Sequence, residues 1–208
     1  FEAEFAGKYY YKLYDALLAA RLTGGTVKVL GNYLYLGAIK LDKGNIVLDL
    51  NGKTVTGNIE LKPGASLQLK GTGTINGTIE ATGTVYDETK LLLTDGWNGT
   101  VTNIVMNNAQ LEMSGGTVSN VLSFQRYTTE QAKSQLTITG GTSTNRGNAW
   151  VPGIYASSIT VNDCHLIVSG GTATNDQSPV SYAMSTVPTL YKAKVVKASK
   201  NTDGSDPV

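Results

Sequence analysis

Short apolar triplets recur along the chain: Leu48-Asp49-Leu50, Leu67-Gln68-Leu69, Leu91-Leu92-Leu93, Leu111-Glu112-Met113, Leu136-Thr137-Ile138 and Leu166-Ile167-Val168. Each is followed by a glycine-bearing turn and a Thr-x-polar segment that begins at Thr54, Thr74, Thr100, Thr117, Thr142 or Thr172. Successive residues on a strand point to opposite faces, so the outer two residues of a triplet share one face, nearly all Leu, Ile, Met or Val. In the threonine segments the order inverts. Val55, Ile75, Val101, Val118, Ser143 and Ala173 stand between polar neighbours, which predicts the middle residue inward and the flanking groups outward. The triplets start at residues 48, 67, 91, 111, 136 and 166, hence 19, 24, 20, 25 and 30 apart. Self-similarity at this spacing is the mark of a solenoid, in which each repeat buries its apolar face only against its neighbours.

Three residues past each first threonine stands Gly57, Gly77, Asn103, Asn120, Asn145 or Asn175. Gly and Asn enter the left-handed backbone region most easily, so this column predicts a corner with positive φ in every coil. Its four asparagines can also stack as a side-chain amide ladder. From corner to next triplet the chain lengthens toward the C-terminus, and the longest insertions run from Phe124 to Gln135 and from Arg146 to Asp163. Lys8 to Leu22 carries Leu13, Ala16, Leu17 and Ala20 at helical spacing and ends before Gly24-Gly25. A helix there caps the open end of a solenoid, with the four tyrosines Tyr9, Tyr10, Tyr11 and Tyr14 as packing. Val27, Val29, Leu36, Ile39 and Leu41 supply a first coil, and Leu190 to Val196 a last strand. The expected fold is all-β: a right-handed, single-stranded parallel β-helix (solenoid) with an N-terminal α-helical cap. The cap takes residues 1–25, the coil 26–198, and a polar tail or linker 199–208.

Composition agrees with this reading and narrows the function. Charged residues make up 16% of the 208, and there are 24 glycines. Few charges with many Thr, Val, Ile and Gly suit β-structure with tight turns. A net charge of +1 gives no electrostatic reason to expect nucleic acid or an anionic membrane as partner. Cys164 is the only cysteine and His165 the only histidine, so neither an internal disulfide nor a thiolate metal cluster is expected, and no cofactor. Adjacent on a strand, those two residues point to opposite faces and form no dyad. No stretch approaches the length of a transmembrane helix, so no direct membrane insertion is expected. A first residue of Phe rather than Met suits a trimmed secretory precursor or a recombinantly expressed piece.

The segments IVLDLNGKTVTG (46–57), LTITGGTSTN and LIVSGGTATN resemble the repeats of right-handed parallel β-helix modules in large bacterial surface proteins, within the pectate-lyase-like superfold. The opening KYYYKLYDALLAARLTGGTVKVL is similar to the helix-then-strand start of such modules. The resemblance covers the chain from about residue 8 to 175. It implies an extracellular, cell-surface module of a longer bacterial protein, an adhesin in character. The same superfold contains enzymes that act on polysaccharides.

Three classes of activity follow. Glycoside hydrolysis needs two carboxyl groups roughly 5 to 9.5 Å apart, and lyases a carboxylate cluster for Ca²⁺ with a basic residue. In the outward triplet column the acids are Asp49 and Glu112, three coils apart, or roughly 14 Å at the strand spacing. Asp87, Glu88 and Asp95 are isolated, so no catalytic set is assigned. Carbohydrate binding needs aromatic faces for sugar rings and amides or charges for hydroxyls. The turn TDGWNG offers Asp95, Trp97 and Asn98; SFQRY offers Arg126 and Tyr127; RGNAWVPGIY offers Arg146, Asn148, Trp150 and Tyr155. A glycan, or a host or cell-wall surface component, is the expected partner. Third, the outward Thr-x-Thr array, about 7 Å by 4.8 Å, resembles the ice-binding faces of threonine-rich β-solenoids. No metal site is expected.

Overall fold

The computed structural model describes residues 1–125 apart from 85 and 95, and beyond them the strands 135–138, 142–146, 159–161 and 165–169. The expected last strand (190–196) and the tail lie outside the described residues.

The chain opens with an antiparallel hairpin, β1 (Ala3–Phe5) and β2 (Lys8–Tyr10). Its turn residues Ala6 and Gly7 both have positive φ, 50° and 75°. Such a turn matches the twist of the strands it joins. The helix expected from Lys8 is therefore shorter: α1 spans Leu13–Thr23. Its buried residues are Leu13, Ala16, Leu17 and Ala20, the stripe that the spacing predicts.

From there the chain winds. β3 (Gly25–Val29), β5 (Gly44–Asp49), β7 (Ala65–Lys70), β9 (Lys90–Leu93), β11 (Gln110–Met113), β13 (Gln135–Ile138) and β15 (Ile159–Val161) stack in one parallel series. β1 joins β3 antiparallel and β2 closes that edge. Alternating with these along the chain, β4 (Tyr33–Leu41), β6 (Thr54–Leu61), β8 (Thr74–Thr82), β10 (Thr100–Asn107), β12 (Thr117–Gln125), β14 (Thr142–Arg146) and β16 (His165–Ser169) form a second, seven-stranded parallel sheet. The protein is thus a parallel β-solenoid with a helix at its N-terminal end.

Like residues stack on like. Ile46, Leu67, Leu91 and Leu111 lie in register and are buried in the first sheet. Val55, Ile75, Val101 and Val118 form one column in the second sheet, and Ile59, Ile79, Ile104 and Leu122 another. Each such side chain is worth about 1.5–3 kcal/mol of transfer free energy, and stacking equal shapes leaves few voids. The threonine segments behave as their alternation predicts: the middle residue is inside, while Thr54, Thr74, Thr100 and Thr117 stand in register outside.

Four expectations need correction. The first triplet is Ile46-Val47-Leu48, because Leu48 pairs with Leu69. A two-residue shift keeps every side chain on its face, so alternation alone cannot detect it. Asp49 consequently pairs with Lys28 and Lys70, while Glu112 pairs with Leu92, and the two acids share no column. The last triplet, Leu166-Ile167-Val168, lies in the second sheet beside Ser143-Thr144-Asn145, and β15 takes its place in the first. Leu36, expected in the first coil's core, is 94% exposed. It sits in a bulge, since the five residues Leu34–Ala38 of β4 lie opposite the three residues Thr56–Asn58 of β6.

The corner column is real but works differently from the expected positive φ. Among its described residues only Gly57 has positive φ, at 143°. Gly77 is required by space instead, since a Cβ there would run into the Gly57 carbonyl of the neighbouring rung. Asn103 and Asn120 serve the ladder: the Asn120 side-chain amide donates to Asn103 Oδ1 at 2.8 Å, and the Asn103 amide to Thr78 Oγ1 at 3.4 Å.

Candidate functional site

Of the residues chosen for glycan contact, Trp97 is placed in the core. It is 3% exposed, and its main-chain N–H donates to the Thr94 carbonyl at 2.9 Å. Its indole lies against Gly99 and Gly116, where any Cβ would overlap the ring. Those glycines make a slot for the side chain. The ring that was to be a sugar platform therefore fills the coil, and the turn shows Asn98 to solvent. Asp95, Arg126, Tyr127, Asn148, Trp150 and Tyr155 lie outside the described residues. Arg146 closes β14, where the backbone alone is described.

An exposed aromatic group occurs instead at the start of the chain. Phe1, Tyr9 and Tyr11 are 62%, 59% and 78% exposed. The Phe1 ring lies 5.5 Å from that of Tyr9 and 4.6 Å from that of Tyr11, tilted by 38° and 34°. Tyr9 lies on β2 at the edge of the first sheet and Tyr11 just past its end, and the Phe1 ring lies against both. Tyr10 between them is half-buried and packs on the core. Reading all four tyrosines as cap packing missed this split. A signal was available: Glu2-Ala3-Glu4-Phe5 alternates polar and apolar before Ala6-Gly7, a hairpin pattern.

Register extends that face. Tyr9 pairs with Glu4, Glu4 with Lys28, Lys28 with Asp49 and Asp49 with Lys70. Opposite charges thus alternate across four strands and begin next to the rings. The arrangement sets open aromatic faces beside a carboxylate and an ammonium group. It suits a neutral, hydroxyl-rich ligand with apolar faces, which is the surface chemistry of a sugar.

Elsewhere the polar groups of the surface serve the coil. Glu60 bonds Lys62 at 2.8 Å and lies 3.9 Å from Lys40. The Lys62 hydrogen bond holds the Glu60 carboxyl below its ordinary pKa. Burial pushes the Tyr33 phenol up, so it stays neutral. Among the described residues no group of three or more His, Cys, Asp or Glu could hold a metal ion. No described helix is long and apolar enough to cross a membrane.

Comparison with known proteins found no matching family, no matching curated protein and no matching solved structure. The reading of this surface rests on its own chemistry.

Proposed function

We propose that the chain is a non-catalytic module of a secreted or cell-surface bacterial protein, one that contacts carbohydrate as part of adhesion. In this reading the coil belongs with the surface modules of the pectate-lyase-like superfold and acts as a stiff support. The observation that carries the proposal is the exposed cluster of Phe1, Tyr9 and Tyr11, with Glu4 and Lys28 in register beside it. Exposed aromatic rings in a group cost solvation unless a ligand covers them, and sugars cover them without losing hydroxyl contacts to neighbouring charges. The test is a glycan array followed by titration with cell-wall and host polysaccharides. Replacing Tyr9 and Tyr11 together by Ala is expected to weaken binding by about 5- to 150-fold, at roughly 0.5–1.5 kcal/mol per ring. Binding that survives the double substitution, or no binding across the panel, refutes the assignment.

A second reading, a hydroxyl face that orders ice, draws on the in-register column Thr54, Thr74, Thr100 and Thr117. Thermal hysteresis abolished by Thr100→Lys supports it; a freezing point equal to the melting point at millimolar protein dismisses it.

A further inference from the structure

The two sheets end differently at the N-terminal end of the coil. In the first sheet β3 is covered by β1, and β1 by β2. In the second the order stops at β4, and among the described residues no strand pairs with its outer edge. One bond sets how the peptide groups of β4 are directed. Lys62 N–H donates to the Leu41 carbonyl at 2.8 Å, so Leu41, and Ile39 two residues before it, turn their peptide groups toward β6. Ala38 and Lys40 turn theirs the other way, to the open edge. An edge of this kind is a template for a further strand.

Helix α1 runs beside that edge, in the same sense as β4. Tyr14 in its first turn stacks on Tyr35 near the start of β4, with centroids 5.5 Å apart. Arg21 in its last turn bonds Asp42, just past the end of β4, at 3.3 Å. Tyr14, Leu18 and Leu22 are spaced by four and form one row along the helix. This row is separate from the fully buried stripe: Tyr14 and Leu18 are half-buried and Leu22 is 67% exposed. On β4, Leu34 and Leu36 are 66% and 94% exposed. The other flank of α1 packs against β1, whose Ala3 and Phe5 are buried. One side of the helix thus has its covering strand, while the β4 side offers apolar side chains and unpaired backbone.

Charge specifies the occupant. Lys40 stands on the outer face with its side chain 64% exposed, in register with Glu60. Glu60 is held more closely by Lys62, at 2.8 Å against 3.9 Å, so Lys40 is left with the weaker contact. The strand already paired to β4 sets Ile59-Glu60-Leu61 against Ile39-Lys40-Leu41. We infer that the open edge of β4 takes up an extended strand from a partner polypeptide, one that carries an acidic residue between two apolar ones. Its backbone bonds Ala38 and Lys40, its acid meets the Lys40 ammonium on the outer face, and its apolar side chains, which alternate to the inner face, cover the Tyr14–Leu22 row. This docking is independent of the carbohydrate reading.

The probe is a blocked synthetic peptide with the β6 sequence TVTGNIEL, titrated into the isotope-labelled chain to millimolar concentration. The expected result is saturable binding that slows amide exchange at Ala38 and Lys40 and leaves Ile39 unchanged. Lys40→Glu is expected to weaken binding about tenfold or more, and a peptide with Lys in place of Glu to restore it. Leu22→Asp, at an exposed position of the helix row, is expected to weaken binding without altering the circular dichroism of the free protein. Absence of saturable binding overturns the inference, as does equal binding of both peptides by Lys40→Glu. Light scattering that shows a dimer, lost in Leu22→Asp, overturns it in favour of a second copy at the same edge.

Discussion

Replacing Gly77 by Ala tests the claim that the corner glycines exist to let rungs approach. Gly77 lies over Gly57 of the rung before it, between the paired positions Thr56–Asn76 and Ile59–Ile79. A Cβ on residue 77 would overlap the Gly57 carbonyl oxygen and come within 2.7 Å of its carbon. Both are main-chain atoms, so no side chain can swing aside; two rungs about 4.8 Å apart must separate locally. Overpacking of this kind costs about 1–3 kcal/mol. The same change removes conformational freedom from the unfolded chain, a gain of about 0.4–1 kcal/mol. Strain wins, leaving a net loss of about 1–2 kcal/mol, or roughly 5–30-fold in the ratio of folded to unfolded protein. For a chain of this length the melting temperature should fall by about 2–8 °C. Urea unfolding followed by far-ultraviolet circular dichroism measures the loss. Amide exchange should place it at Thr56–Asn58 and Asn76–Thr78. Gly31→Ala is the control, because a Cβ there meets nothing nearer than the Phe1 carbonyl oxygen at 3.9 Å. Gly77→Ala as stable as Gly31→Ala would refute the close-approach argument.

Trp97→Ala should cost about 3–5 kcal/mol in urea unfolding, as a buried indole leaves a cavity. Trp97→Phe should cost much less, because Nε1 is buried without a hydrogen-bond partner and its removal loses no bond. Asn103→Ala removes the 2.8 Å ladder bond from Asn120 and should destabilise by about 1 kcal/mol, detectable as a lower denaturation midpoint at unchanged m-value. Glu60 has a depressed pKa in the folded protein, chiefly through its hydrogen bond with Lys62. Its contribution to stability is therefore present above the unfolded carboxyl value of about 4.3 and lost as pH falls through the lower folded value. Glu60→Gln should flatten that acid limb in unfolding measured from pH 7 to 3, and an unchanged limb would rule out the ion pair as its source.

Much of the fold can be read along the chain, because a solenoid repeats its local rules. The alternation around Thr54, Thr74, Thr100 and Thr117 told which side chains face inward, and the helical spacing of Leu13, Ala16, Leu17 and Ala20 told which helix face is buried. The step of the asparagine ladder from Asn120 to Asn103 was legible for the same reason, since equal positions in equal repeats stack, while Asn175 and the Asn145 side chain lie outside the described residues. The candidate site was less legible. Trp97 looked like a turn residue, but the glycines around it come from different rungs, and only their assembly makes the slot that swallows the ring. Tyr9 and Tyr11 looked like cap packing until the hairpin turned them outward.

The amino-acid order by itself determined the repeat, the inward and outward faces and the presence of a capping helix, since these follow from the two-residue and 3.6-residue periods of local backbone geometry. Tertiary structure alone decided the register, the alternating charges from Glu4 to Lys70, the burial of Trp97 and the bare edge of β4. A shift of two residues changes no side chain's face, and only contacts between distant rungs can choose among such alignments.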